Sequence, residues 1–217
     1  MQIQGVTSIA RMLCVAASLF GAMLPAHAGA QTPSAAELAV SLRQGSYVLV
    51  MRHTSSPTTL PDKSSAAPGN DKLERQLDAK GQETARAMGE AIKALRIPIA
   101  EVLSSPTYRA RETVRFAAFG TPPKTFDELG DGGQGMQVQS PAAAAAWLRA
   151  KAAEAPRAGA NVLIVTHAPN IQGAFGQSAD GIADGETMVF RPDGKGGFTL
   201  VARVKIEDWP RVVSLTQ

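Results

Sequence analysis

Two apolar stretches constrain this chain more than any other feature. The first runs Tyr47-Val48-Leu49-Val50-Met51 and breaks off in Arg52-His53-Thr54. The second runs Asn161-Val162-Leu163-Ile164-Val165 and breaks off in Thr166-His167. Neither alternates apolar with polar residues, so each reads as a strand covered on both faces, as in a parallel sheet flanked by helices. In an open α/β sheet, ligands bind beyond the carboxyl ends of the strands. Both stretches therefore deliver a histidine to the edge where such a fold does its chemistry.

The intervening segments supply the covering helices. Ser34 to Leu42 reads as an entry helix capped by Ser34, and Gly45-Ser46 turns it into the first strand. Asp78 caps a helix whose Ala85, Met88, Ile92 and Leu95 recur at helical spacing, and Pro98 ends it. Ile99 to Leu103 is the next strand, followed by a helix with Ser105 as cap and Pro106 in its first turn. An alanine-rich helix is expected from Pro141 through Glu154, capped by Ser140. Near the C-terminus, Glu186–Phe190 and Phe198–Lys205 flank the turn Asp193-Gly194-Lys195-Gly196-Gly197 and read as a hairpin. The alternation predicts an α/β fold: a three-layer α/β/α sandwich with a mostly parallel central sheet.

Three stretches read as loops. Thr54 to Gln76 contains Pro57, Pro61, Pro68 and Gly69 and shows no period. A connection of this length in a compact domain is functional or disordered as a rule, and it is expected over the mouth of the site. Gly120–Gly135, rich in Gly and Pro, carries the acids Asp127, Glu128 and Asp131 within reach of the same edge. Gly176–Gly185 is the third.

Residues 1–28 read as a secretory signal peptide. Arg11 precedes the apolar run Met12–Leu24, which is short for a membrane span, and Ala26-His27-Ala28 provides a small-x-small cleavage site. The expected product, residues 29–217, is one domain located in the periplasm or outside the cell, with no stable membrane insertion. Cys14 is the only cysteine of the chain and leaves with the signal, so no disulfide is expected. The formal charge of +3 becomes +2 without Arg11. Its basic residues are interspersed with acids, which argues against a nucleic-acid stripe.

Two strand-end histidines and two arginines, Arg52 and Arg109, suit phosphoryl chemistry. Guanidinium groups bind non-bridging phosphoryl oxygens in planar, bidentate fashion. A neutral imidazole beside them can attack phosphorus and form a phosphohistidine. A second histidine, when protonated, adds a donor to the same oxygens. Neighbouring cations lower the pKa of the attacking ring and keep it neutral. The sequence contains no Cys cluster, His-Glu-x-x-His motif, calcium loop or Gly-rich nucleotide fingerprint after the first strand. Neither a metal nor a cofactor is expected.

These residues resemble the histidine phosphatase superfamily, the phosphoglycerate mutase-like or histidine acid phosphatase clan. Arg52-His53-Thr54 matches the family's Arg-His-Gly, and Ser104 through Thr113 matches Ser-Ser-Pro-x-x-Arg-Ala-x-x-Thr. His167-Ala168-Pro169-Asn170 matches the second histidine segment, and Leu77-Asp78-x-x-Gly81 resembles the stretch between the first two motifs. The resemblance implies a phosphoglycerate mutase-like fold and a small secreted bacterial phosphatase. In it His53 is the nucleophile, Arg52, Arg109 and His167 form the phosphate pocket, and a small phosphorylated molecule is the substrate. Thr54 departs from the motif glycine and is a candidate phosphate donor itself. For the general acid Asp131 is the first candidate, with Glu128 and Glu186 as alternatives. A non-catalytic phosphate- or phosphosugar-binding protein and a phosphoglycerate-type mutase are the rival readings.

Overall fold

Alternation along the central strands decides which of two cores each side chain joins. In the computed structural model, Leu49 and Met51 of β1 (Val48–Arg52) pack into one core, and Val48 and Val50 into the other. β4 (Asn161–Thr166) divides in the same way, with Leu163 and Val165 on one side and Ile164 on the other. A strand whose successive Cβ atoms point to opposite faces can be apolar throughout only if both faces are covered. The structure describes Met1, Gln2 and residues 33–132 and 140–216. Its contacts divide the chain into Met1–Gln31 and Thr32–Gln217, and the fold described is that of the second unit. The expected signal segment lies outside the described residues except for Met1 and Gln2, as does the 133–139 part of the loop expected to end at Gly135.

The first core is covered by α1 (Ala35–Gln44), α2 (Ala79–Ala94), α3 (Tyr108–Ala117) and α6 (Asp208–Thr216). The second is covered by α4 (Pro141–Ala153) and α5 (Ala168–Phe175), with Phe175 packed on Phe190 at 4.4 Å between ring centres. Between the helical layers lies a sheet with strand order β3-β2-β4-β1-β5-β6. β2 (Ile99–Ser104), β4 and β1 run parallel, as does the two-residue β3 (Lys124–Thr125) beside β2. β5 (Thr187–Pro192) and β6 (Phe198–Val204) form the antiparallel hairpin on the far edge. The three-layer sandwich with a mostly parallel sheet is thus the observed architecture. Among the described residues no helix is long and apolar enough to cross a membrane.

Local side-chain caps start three of the helices. Ser34 makes a full capping box with Glu37, Asp78 accepts from the Gly81 amide, and Ser140 accepts from the Ala143 amide ahead of Pro141. One expectation is corrected. α3 begins at Tyr108 with Thr107 at the N-cap position, and Ser105 lies two residues before it. Thr107 provides no side-chain cap. Instead Glu74, from the long 54–76 segment, accepts from the Tyr108 amide at 2.8 Å. A carboxylate from elsewhere in the chain satisfies the orphan donor, which propensity near the helix cannot reveal. Helices α5 and α6 and the strand β3 were not expected; α5 has eight residues and β3 two, too few to show a period.

Candidate active site

The parallel register brings the two strand-end histidines side by side. Arg52 pairs with Thr166, and the ladder continues as the His53 amide donates to the Thr166 carbonyl at 3.0 Å. The Ser105 amide likewise donates to the Val165 carbonyl at 2.9 Å. Three chain segments therefore converge just past the carboxyl ends of β1, β2 and β4. The His53 and His167 rings meet edge to face, 5.2 Å between centres. Arg109, from the first turn of α3, reaches both. His53, His167 and Arg109 are 3, 2 and 4% exposed.

The hydrogen bonds determine the tautomers. His53 Nδ1 lies 2.8 Å from the Thr54 carbonyl oxygen, which can only accept, so Nδ1 carries the proton. Arg109 Nε–H can only donate, and it points at His53 Nε2 across 3.2 Å. Nε2 is therefore the unprotonated nitrogen, whose lone pair accepts from Arg109. Burial, and then the charges of Arg109 and Arg52, push the His53 pKa down to about 4, so the ring is neutral at pH 7.

His167 has the opposite assignment. Arg109 Nη2 donates to Nδ1 at 3.2 Å, so Nε2–H donates to Ser105 Oγ at 2.9 Å. Burial, Arg109 and His53 all hold its pKa well below the ordinary value. His167 is thus neutral and accepts from Arg109, rather than standing protonated as an anion donor.

The two expected arginines are each already engaged. Arg52 donates Nη1–H to the Ile182 carbonyl at 2.9 Å, and its Nη2 lies 2.7 Å from Asp184 Oδ1. Its Nε is buried and has no hydrogen-bond partner among the described residues. Arg109 Nη2 is also ion-paired with Asp131 Oδ2. Asp131 is therefore at the centre, bound where an anionic ligand of Arg109 would sit. Glu128, in the short 3-10 turn Asp127–Leu129, reaches the neighbourhood through its backbone, whose carbonyl accepts from Asn170. Glu186 is turned elsewhere. Its carboxylate takes Arg203 Nε–H at 2.7 Å and the Ala183 amide at 2.8 Å. Burial opposes its ionisation, but these partners hold its carboxyl below the usual range.

Thr54 is not a phosphate donor in this arrangement. Thr113 donates its hydroxyl proton to the Arg109 carbonyl at 2.9 Å, so Thr113 Oγ1 can only accept from elsewhere. It accepts from the Thr54 amide at 3.1 Å and from the Thr54 hydroxyl at 3.2 Å. The hydroxyl that replaces the motif glycine thus clamps the end of β1 to the helix that carries Arg109. Thr54 is fully buried, and its φ is not positive, so the backbone needs no glycine here.

Sequence reasoning missed Arg75. It sits in the 54–76 segment, where Nε–H and Nη2–H donate to the Pro57 and Ser56 carbonyls, each at 2.7 Å. Partial burial and then the charge of Arg109 lower its pKa, with Asp131, Asp184 and Arg52 also within electrostatic reach. That segment is built on side chain–backbone bonds. Buried Asn70 bridges to both backbone groups of Glu74, Gln76 bonds the Ala67 amide and the Ser65 carbonyl, and Tyr108 Oη donates to the Pro68 carbonyl. At its base, Gly81 packs so close to Ser55 that a Cβ would collide with the Ser55 carbonyl oxygen. The absence of apolar periodicity hid this order, and with it the arginine.

Comparison with known proteins agrees with the motifs. Residues 48–137 match the family model described as histidine phosphatase superfamily (branch 1). No curated protein matches the sequence. Among solved structures, the chain is similar to the protein histidine phosphatase SixA complexed with tungstate, with 20% identity and a TM-score of 0.55 over 75% of this chain and 98% of the other. It is similar to a protein of Agrobacterium tumefaciens proposed to be the phosphohistidine phosphatase SixA, with 20% identity and a TM-score of 0.51 over 74% and 97% of the two chains. A protein of Escherichia coli K-12 proposed to be an α-ribazole-5'-P phosphatase has 15% identity and a TM-score of 0.51, over 75% and 98%. The fold is that of phosphoglycerate mutase-like histidine phosphatases.

Proposed function

We propose, from the premise that residues 48–137 match the histidine phosphatase superfamily, that this protein is an exported, metal-independent phosphatase acting through a phosphohistidine on His53. The superfamily match supports a phosphatase activity in general. The observation that carries the finer reading is the tautomer of His53: Nδ1–H bound to a carbonyl, Nε2 bare and facing Arg109.

In the first step Nε2 attacks phosphorus, the N–P bond forms, and the bond from phosphorus to the leaving oxygen or nitrogen breaks. The ring retains its Nδ1 proton, and the Thr54 carbonyl stabilises the positive charge that the ring acquires. Arg109 and the free Nε–H of Arg52 hold the non-bridging oxygens, and Arg75 adds positive potential at the rim. In the second step water attacks phosphorus, the N–P bond breaks, and inorganic phosphate leaves with His53 neutral again.

The general acid in this reading is Asp131, supported by its pairing with Arg109. A phosphoryl dianion that takes its place on Arg109 brings the leaving group beside this carboxyl, which in its protonated form delivers the proton. The substrate class is a phosphomonoester or phosphoramidate, and export follows from the expected cleavage after Ala28. The SixA structure was solved with tungstate, which makes tungstate a suitable competitive probe.

The test is hydrolysis of p-nitrophenyl phosphate in EDTA by the protein and by His53→Ala. Turnover inhibited by tungstate and lost in His53→Ala is expected. Turnover that persists in His53→Ala would overturn the nucleophile assignment. Phosphate binding with no turnover of aryl, alkyl or phosphoramidate substrates would favour a binding protein.

A further inference from the structure

One guanidinium outside the catalytic centre ties together the loop that holds Arg52. Arg203, on β6, donates Nε–H to Glu186 Oε1 at 2.7 Å and Nη1–H to the carbonyls of Asp180 and Ser178 at 3.0 and 3.2 Å. Glu186 completes the tie by accepting the Ala183 amide at 2.8 Å, with its side chain 6% exposed. Both limbs of the 178–186 loop are thus joined at one ion pair.

The same loop also holds the strand end that carries Arg52 and His53. Arg52 touches it at three points: Nη1 on the Ile182 carbonyl, Nη2 beside the Asp184 carboxylate, and its own amide on the Glu186 carbonyl at 3.1 Å. The Gly185 amide donates to the His53 carbonyl at 3.1 Å. Gly185 has φ +72°, and a Cβ there would collide with Ile206, so the turn has one tight path. The outer ends of the Arg52 guanidinium contact the loop, and its buried Nε has no hydrogen-bond partner among the described residues.

We propose that Glu186 and Arg203 are positioning residues, whose ion pair sets the turn at 182–186 that aims Arg52 Nε–H at the phosphoryl group. This rests on the function proposed above. It reassigns Glu186 from candidate acid to support, and it gives a role to Arg203, which lies outside every motif. A guanidinium held at both Nη atoms loses little freedom when an oxyanion reaches its Nε, whereas one released from the loop must be ordered by the ligand itself.

The test measures binding of inorganic phosphate by isothermal calorimetry to the full chain, together with Arg203→Met, Glu186→Gln, Arg52→Met and the Arg52→Met/Arg203→Met double variant. Arg203→Met and Glu186→Gln are each expected to weaken phosphate binding about tenfold, the size of a charge-assisted hydrogen bond lost by misalignment. Arg203→Lys, which keeps the ion pair, recovers part of it. In the Arg52→Met background, Arg203→Met adds less than about twofold, because both changes act on one contact. Losses that multiply in the double variant, or unchanged phosphate binding in Arg203→Met and Glu186→Gln, overturn the proposal. Thermal melts identify unfolded variants, and Glu186→Gln, a near-isosteric change, carries the test if Arg203→Met does not fold. A parent that binds no phosphate would instead refute the proposed function, and the positioning role with it.

Discussion

Arg109 Nε–H points at Nε2 of His53 across 3.2 Å, so a fixed cation faces the nitrogen that would attack phosphorus. The contact protects Nε2 from protonation and stands where phosphoryl oxygens would be received. It carries consequences for pH dependence, stability and ligand competition.

Protonation of His53 should weaken both folding and reactivity. Its pKa is about 4 when folded, against an ordinary value of 6.5, so the unfolded chain takes up the proton first. Stability is then fully present above pH 6.5 and declines as the pH falls toward about 4. The loss through this residue is about 3 kcal/mol over that window. Urea melts at intervals from pH 7 to 4 should show that decline, and His53→Gln should show less of it. For the same reason kcat/KM should not lose nucleophile until the pH approaches 4.

The Thr54–Thr113 clamp should matter for both stability and rate. Thr54→Val keeps the shape and removes the donor, and it should destabilise by about 1 kcal/mol. Thr54→Ser keeps the donor and loses one buried methyl, so it should also cost about 1 kcal/mol but leave the alignment of Arg109 intact. A denaturant titration gives the stability, and kcat for an aryl phosphate shows whether Arg109 remains aligned. A kcat that is the same in the Val and Ser variants would remove the clamp.

Asp131 should affect binding and catalysis in opposite directions. Asp131→Asn removes the resident anion from Arg109, so phosphate should bind more tightly. The same change should slow hydrolysis of alkyl phosphates by roughly 100-fold while largely sparing p-nitrophenyl phosphate, whose leaving group hardly needs a proton. Calorimetry and steady-state rates on both substrates separate the effects. An equal rate loss on the two substrates would exclude an acid role.

Arg75 should contribute through its charge rather than through the fold alone. Arg75→Gln retains a donor to the Ser56 and Pro57 carbonyls and removes the positive charge. It should raise KM about three- to tenfold, in line with one partly screened cation acting on an anionic substrate. Added salt should narrow the difference from the parent. A KM that does not move with the variant would place Arg75 outside the substrate's field.

The sequence determined the sheet, and the edge at which Arg52 and His53 stand, by itself. Runs of unbroken apolar residues such as Leu49-Val50-Met51 can be buried only in a two-sided sheet, and a strand that ends in Arg52-His53 has to present those groups at its carboxyl end. Caps at Ser34, Asp78 and Ser140 were legible because each bonds an amide three residues away. Tertiary structure alone decided where the long-range partners fall. Glu74 caps a helix 34 residues on, Arg75 joins the electrostatic field of the site from a segment without periodicity, and Thr54 finds its acceptor on Thr113. It also separated the three candidate acids, drawing Asp131 to Arg109 and Glu186 to Arg203. A carboxylate in a loop has the same local sequence signature whichever guanidinium it meets, and the packing of distant elements chooses between them.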